Sequence, residues 1–296
     1  MQTDVPLVAQ DAVWFPEGIQ ASAQDPSQLY LQLMKKCLTN WIYIDDELTS
    51  DQQSFWRTTA RRVFARLDHM TGAGWHLYRP RNLGEKTRLD GQDWPPTAHT
   101  MIGLKRLNNL HVCVEKVLAD GVPGDLIETG VWRGGASIFM RAVLKAHGVT
   151  DRTVWVADSF EGLPPAKEEY PQDTGSQLHR YSELAISLET VQGNFAKYGL
   201  LDNQVRFLKG WFHETLPTAP IGPLSIARLD GDLYESTIVA LDALYPKLSV
   251  GGFLIVDDYG GLESCRQAVA DFRTKHGVTE TIHMIDDIGA YWRRER

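Results

Sequence analysis

Four aspartates carry the chemistry that this sequence offers. Asp230 and Asp232 follow the apolar run SIARL, and Asp257 and Asp258 follow the run FLIV. A helical pattern over 235–248 separates the two pairs and is closed by Gly251 and Gly252. A strand–helix–strand unit with carboxylates at both carboxyl ends matches the place where an open α/β sheet keeps its ligands. One aspartate at such a point is ordinarily a turn residue. Two pairs on successive strands would repel one another unless a positive charge sits among them. Oxygen donors of this kind suit a hard cation, so a divalent metal is expected here.

The elements that must position these residues begin at about residue 122. Short β-rich runs cover 125–129, 153–158, 204–210, 225–230, 253–258, 280–285 and 289–294. Helical patterns at 136–147, 187–198, 235–248 and 266–275, with a short turn near Phe212, lie between them. Such alternation predicts a mostly parallel sheet with helices on both faces. The last two strands are joined by a connection too short for a crossover helix, so they must form a hairpin and bring an antiparallel strand into the sheet. The first 120 residues read as helical, with patterns from Pro26, over 51–70 and over 97–120, an irregular lead over 1–25, a loop over 71–96 and no obvious strand. The expected organisation is a helical extension over 1–120 that caps the substrate, then a catalytic domain over 121–296. Its longest irregular segment, 161–186, is expected to be a functional lid.

Bulk properties exclude several classes. A formal net charge of −8 with no run of Lys and Arg argues against a nucleic-acid partner. Cys37, Cys113 and Cys265 are odd in number, far apart and without CxxC spacing, which indicates neither a disulfide framework nor a zinc site. The opening MQTDVPLVAQDAVWF lacks the basic start and apolar core of a signal peptide, and no apolar run approaches a bilayer span. The default reading is a cytoplasmic enzyme or binding protein with no membrane partner.

The first strand runs into a turn, Glu128-Thr129-Gly130-Val131-Trp132-Arg133-Gly134-Gly135, that opens a helix. Its glycines let backbone approach a ligand. Trp132 and Arg133 break the GxGxxG pattern, so a dinucleotide pyrophosphate fits poorly. Asp158 ends the second strand, where an acidic residue meets ribose hydroxyls in nucleotide-binding α/β folds. A ribose acid without a pyrophosphate turn favours an adenosyl cofactor such as S-adenosylmethionine over NAD.

The ordered motifs ETGVWRGGAS, ADSFEGLP, FLKGWFHETLP, RLDGDLYEST and YPKLSVGGFLIVDDY resemble the macrocin O-methyltransferase family, which includes sugar O-methyltransferases of the tylosin, mycinamicin and novobiocin pathways. AHTMIGLKRLNNL, CRQAVADF and AYWRR are similar to it as well, so the resemblance covers most of the chain from about residue 28. It implies a class I S-adenosylmethionine-dependent methyltransferase fold, α/β and Rossmann-like, with seven strands of which the last is antiparallel. It implies Asp230, Asp257 and Asp258 as ligands of Mg2+ and Asp232 as general base. For the cofactor it implies Glu128, Thr129, Gly130 and Ser137 beside the methionine part, and Asp158 with Ser159 at the ribose. Gly210 and Trp211 would border the adenine, with Thr100 and Met101 reaching in from the third helix. A metal-bound hydroxyl has a lowered pKa and a fixed direction, and a nearby carboxylate can take its proton.

Among the histidines, His99, His179, His213 and His283 are candidate bases. His283 lies in a strand run and reads as core or edge packing, His213 as a turn cap, and His179 belongs to the lid. None has a carboxylate partner recognisable from sequence, so Asp232 is the preferred base. The expected activity is Mg-dependent O-methylation of a sugar or other decorated natural product in antibiotic biosynthesis, acting on a small-molecule acceptor. The competing readings are methylation of a catechol-like or other vicinal diol, and a non-catalytic scaffold that binds S-adenosylmethionine. The helical extension also suggests a homo-oligomer interface.

Overall fold

A computed structural model describes residues 14–17, 19, 25–44, 48–50, 78–80 and 85–296. The chain-order elements are α1 (Pro26–Leu38), β1 (Leu48–Ser50), β2 (Tyr78–Pro80), α2 (Glu85–Leu89), α3 (Gly103–Ala119), β3 (Asp125–Thr129), α4 (Gly135–Ala146) and β4 (Val154–Asp158). They continue with α5 (Leu188–Lys197), β5 (Val205–Lys209), α6 (Phe212–Thr215), β6 (Leu224–Leu229), α7 (Tyr234–Leu244), β7 (Leu248–Val256), α8 (Glu263–His276), β8 (His283–Met284) and β9 (Ala290–Arg293). Seven strands form one sheet in the order β5-β4-β3-β6-β7-β9-β8. Its first five members run parallel, and β9 lies antiparallel to both β7 and β8. This is the class I methyltransferase sheet with the hairpin that the short last connection required.

The sheet is buried on both faces, and strand periodicity divides its residues between two cores. Leu126, Val154, Val156, Ile226 and Ile255 point to one side, where α1, α3, α4 and α5 contribute Leu31, Leu107, Phe139 and Phe195. Ile127, Trp155, Ala227, Leu254 and Val256 point to the other, against Leu241 of α7, Phe272 of α8 and Trp292 of β9. Helices on both faces follow from the parallel crossovers, which cover the central strands on both sides.

Several boundaries differ from expectation. The first 120 residues are not free of strand: β1 and β2 pair antiparallel, and β2 and α2 fall in the stretch read as loop. The helix expected over 51–70 lies outside the described residues. The third helix begins at Gly103, not near Thr97, with Ile102 as its first cap. Helix α7 ends at Leu244, and a short 3-10 turn over Tyr245–Lys247 leads into β7. Gly251 and Gly252 therefore lie inside a strand and do not close a helix. A bulky, β-branched run preceding glycine has no period long enough to separate these alternatives in sequence.

One polar cluster binds α1 to α3. Lys35, fully buried and with its pKa pushed down by that burial, donates to Trp14 O at 3.2 Å and Asn108 Oδ1 at 2.7 Å, and its Nζ lies 3.0 Å from His111 Nδ1. Because the Glu115 carboxylate can only accept, His111 Nε2 carries the proton toward Glu115 Oε1 at 3.2 Å and leaves Nδ1 as the acceptor facing Lys35. Burial, opposed by Glu115 and reinforced by the Lys35 charge, pushes the His111 pKa down to about 4. The unfolded chain then takes up this proton first, so His111 withdraws stability as pH falls from its ordinary value of 6.5 toward 4. His147, whose pKa is raised by its bond to Glu115, acts with the opposite sign. His111→Gln keeps a donor for Glu115 and an acceptor for Lys35 without the titration. Melting temperature should fall less steeply over this range in the variant than in the parent. An identical pH profile for the two proteins would contradict a neutral His111.

Candidate active site

Strands β6 and β7 are parallel neighbours whose last residues, Leu229 and Val256, are in register. The aspartates that follow each strand are therefore delivered side by side. Asp230 N–H donates to Thr129 O at 2.8 Å and Asp257 N–H to Leu229 O at 2.9 Å, extending the ladder through the turn. Carboxylate oxygens of Asp230, Asp257 and Asp258 all lie within 4.8 Å of one another. Asp232 is not part of that group. It occupies a left-handed turn with φ of 57° and lines the same cavity.

The positive charge that such a cluster needs comes in part from the chain itself. Arg228, on β6 and 1% exposed, donates to Glu128 Oε1 at 2.5 Å, to Asp230 Oδ2 at 2.9 Å and to Asp257 Oδ1. Arg106, on α3, donates to Asp257 Oδ2 at 2.6 Å and Asp286 Oδ2 at 2.9 Å. Neither arginine was identified from sequence. Arg228 stands two residues before Asp230 on one strand face, a spacing that could have flagged it. These guanidiniums engage Asp230 and Asp257, while Asp258 Oδ2 is buried with no hydrogen-bond partner. An orphaned buried carboxylate oxygen beside two more carboxylates fits a hard cation.

The remaining imbalance appears as raised pKa values. Burial, then the charges of Asp232 and Asp230, holds Asp258 well above the usual carboxylate range. Burial and Asp257 do the same for Asp230 against the pull of Arg228. Asp232 is pushed up to about 7 by burial and by the charges of Asp257 and Asp158. Glu128 is raised by burial, with Arg228 opposing.

The glycine turn after β3 meets the aspartates directly. Gly130 has φ of 79°, and a Cβ there would lie 1.6 Å from Asp230 O. A Cβ on Gly135 would lie 2.4 Å from His99 O, so the start of α4 presses on the segment that carries Thr100. Arg133 Nη1 donates to Pro95 O at 3.0 Å and Ala98 O at 2.9 Å, tying this turn to the N-terminal region. Asp158 accepts from Val131 N at 2.7 Å and from Phe160 N at 2.7 Å, which fixes its carboxylate at the cavity wall. Those N–H bonds oppose the burial that raises its pKa.

A cavity of about 420 Å³ collects most of these groups. That size is in the range of small-molecule sites. Thr100, Met101, Glu128, Gly130, Asp158, Ser159, Trp211 and all four aspartates line it. Thr100 and Met101 do so from the bend before α3 and not from the helix, because the helix starts at Gly103. Thr129, Ser137 and Gly210 are not among the lining residues. Thr129 and Ser137 are fully buried, and Ser137 Oγ donates to Glu128 Oε2. Gly210, with φ of 139°, precedes Trp211 at the wall.

The segment 161–186 is ordered by three 3-10 turns, and its Leu163, Pro164, Leu178 and Leu184 face the cavity. His213 also lines it, with Nδ1 3.5 Å from Glu235 Oε1, so it has the carboxylate neighbour that the sequence concealed. His179 does not line the cavity, and His283 is exposed on the edge strand β8. His99 Nδ1 lies 2.7 Å from Tyr198 Oη, and burial with nearby cations lowers its pKa to about 4. No described helix is long and apolar enough to cross a membrane.

Comparison with known proteins gives a consistent result. The family described as Macrocin-O-methyltransferase (TylF) matches residues 27–294. The 8-demethyl-8-(2,3-dimethoxy-alpha-L-rhamnosyl)-tetracenomycin-C 4'-O-methyltransferase of Streptomyces olivaceus is 53% identical over 272 residues, covering 91% of this chain and 94% of that protein. The mycinamicin III 3''-O-methyltransferase of Micromonospora griseorubida is 49% identical, covering 90% and 96%. The solved structure of the O-methyltransferase NovP is 48% identical with a TM-score of 0.78, covering 91% of this chain and 100% of that one.

The buried arginine provides a test of the site's internal electrostatics. Arg228→Met retains volume but leaves three carboxylates without their shared donor. The expected loss in a urea melt is about 3–5 kcal/mol. A loss under about 1 kcal/mol would mean that the carboxylates become protonated at little cost when the guanidinium is removed.

Proposed function

The chain belongs to the macrocin O-methyltransferase family, and on that premise we propose that it methylates a hydroxyl of a sugar carried by a natural product, with S-adenosylmethionine as donor and Mg2+ as metal. The observation that carries the metal is the convergence of Asp230, Asp257 and Asp258 around the unpartnered Asp258 Oδ2. The relatives from S. olivaceus and M. griseorubida, each about half identical, are O-methyltransferases of a rhamnosylated tetracenomycin and of mycinamicin III, which supports a glycosylated acceptor.

In this reading the three aspartates hold the cation. When bound, it supplies Lewis acidity that lowers the pKa of an acceptor hydroxyl. Arg228 and Arg106 orient Asp257, and Arg228 orients Asp230, so these carboxylates are held in place as ligands. Asp232, with its pKa raised to about 7, is the proton acceptor. A carboxylate poised near neutrality is a stronger base than an ordinary one and remains partly ionised at the working pH. Gly130 and Asp158 receive the cofactor on the wall beside the aspartates, the first by backbone approach and the second at the ribose. Thr100, Met101, Glu128, Ser159 and Trp211 complete that wall. Ser137 acts through Glu128, Gly210 shapes the approach of Trp211, and Thr129 contributes backbone at the strand end. Displacement at a methyl group needs attacking oxygen, carbon and sulfur in line, so fixed walls contribute a large part of the rate. The lid segment excludes water from this space.

The test is methyl transfer to a panel of rhamnosylated and other glycosylated polyketide acceptors, followed by mass. Turnover should stop with EDTA and return with Mg2+. Asp232→Asn should lower kcat by about 10²–10⁴ while the cofactor Kd stays nearly unchanged. Turnover indifferent to the chelator would remove the metal from the reading. Transfer to catechols but to no glycosylated compound would change the acceptor class.

A further inference from the structure

Helix α7 begins immediately after the turn that carries Asp232, and its capping residue, Leu233, supplies no side-chain cap. The first N–H groups of a helix need acceptors and attract negative charge. Here the acceptor comes from the lid. Asp173 is 2% exposed, and its Oδ1 accepts from Tyr234 N at 2.7 Å while its Oδ2 accepts from Glu235 N at 3.0 Å. It lies some sixty positions earlier in the chain, in the middle of 161–186. A second lid residue, Lys167, reaches the same turn through Nζ to Glu235 Oε1 at 2.5 Å. The rings of Tyr170 and Tyr234 stand 6.0 Å apart between these ties.

The backbone just upstream is strained. Leu233 N–H donates to Gly231 O at 2.5 Å, an i to i+2 bond with Asp232 at its centre in the left-handed region, φ 57°. Turns of this kind are rare and strained for a residue with a side chain. They persist only when surrounding bonds hold them. Ser264 Oγ holds the Asp232 carbonyl at 3.2 Å, and Asp173 holds the next two N–H groups of the chain.

We propose that Asp173 is a positioning residue that transmits lid closure to Asp232: with the lid down its carboxylate caps α7 and fixes the strained turn, and with the lid up the turn relaxes. This rests on the reading of Asp232 as the proton acceptor. The coupling is reciprocal, since whatever favours the strained turn also favours the closed lid.

Asp173→Ala and Asp173→Asn are compared at saturating cofactor and acceptor, alone and in an Asp232→Asn background, with melting temperature as a check on folding. Asp173→Ala should lower kcat about 10- to 100-fold with little change in cofactor KM. Asp173→Asn, which keeps one acceptor oxygen, should lose less. In the Asp232→Asn background, Asp173→Ala should add almost no further loss, because both changes remove the same function. Trypsin should also cut Asp173→Ala faster after Lys167 and Arg180, both in the lid. Should Asp173→Ala not fold, Asp173→Asn carries the same cycle. Unchanged kcat in the folded variants, or an equal loss of kcat in both backgrounds, would overturn the proposal. An Asp232→Asn enzyme as active as the parent would instead remove the base assignment, and the single Asp173 variants still report whether the lid tie matters for turnover.

Discussion

The interaction on which this structure depends is the sharing of one buried guanidinium among three strands. Arg228 lies on β6 at the centre of the sheet and holds Glu128 from β3, Asp230 from its own strand end and Asp257 from the end of β7. A fully buried cation is tolerated only when its partners satisfy it. Once it is in place, those partners cannot rotate freely. The carboxyl ends of three adjacent strands are thereby fixed in relative position, and the cofactor turn and the aspartate cluster inherit that geometry. Arg106 extends the same logic to α3 and to Asp286 in the hairpin that closes the sheet. The site is therefore organised by charge before any ligand arrives.

The division of the four aspartates follows from where each sits relative to those arginines. Asp257 is gripped from both sides, Asp230 from one, and Asp258 and Asp232 by neither. Burial and mutual repulsion hold Asp230 and Asp258 well above the usual carboxylate range and Asp232 near neutrality. Different proton affinities within one cavity are what distinct roles in a proton-transfer reaction require.

Much of this was legible in the sequence, and what was missed has physical causes. The seven strands of the main sheet and the aspartates at their ends could be read because alternating and fully apolar runs are local signals. The antiparallel finish could be read because connection length is local as well. Arg228 and Arg106 escaped because a single charged residue in an apolar run or on a helix does not announce its partners. The carboxylate beside His213 escaped for the same reason, since Glu235 lies on a different element. The start of α3 was misplaced because TAHTMI reads as helix by composition, while the N–H groups of His99 and Thr100 both donate to Leu38 O and hold the segment as a bend. The strands β1 and β2 are three residues each, too short for any periodicity to register.

The two margins of the large sheet bear on what this fold does not do. At one, β8 is a strand of two exposed residues, and at the other, β5 carries Arg206 and Lys209. A long, flat, apolar margin would offer unpaired backbone to a strand from another molecule and invite edge-to-edge aggregation. A two-residue strand provides too few backbone groups to template such an addition, and side-chain charge on the opposite margin makes it costly. The hairpin that places β9 antiparallel thus has an effect beyond topology: it lets the sheet terminate in its shortest strand, so the molecule can keep a wide apolar sheet in its interior without presenting it to its neighbours.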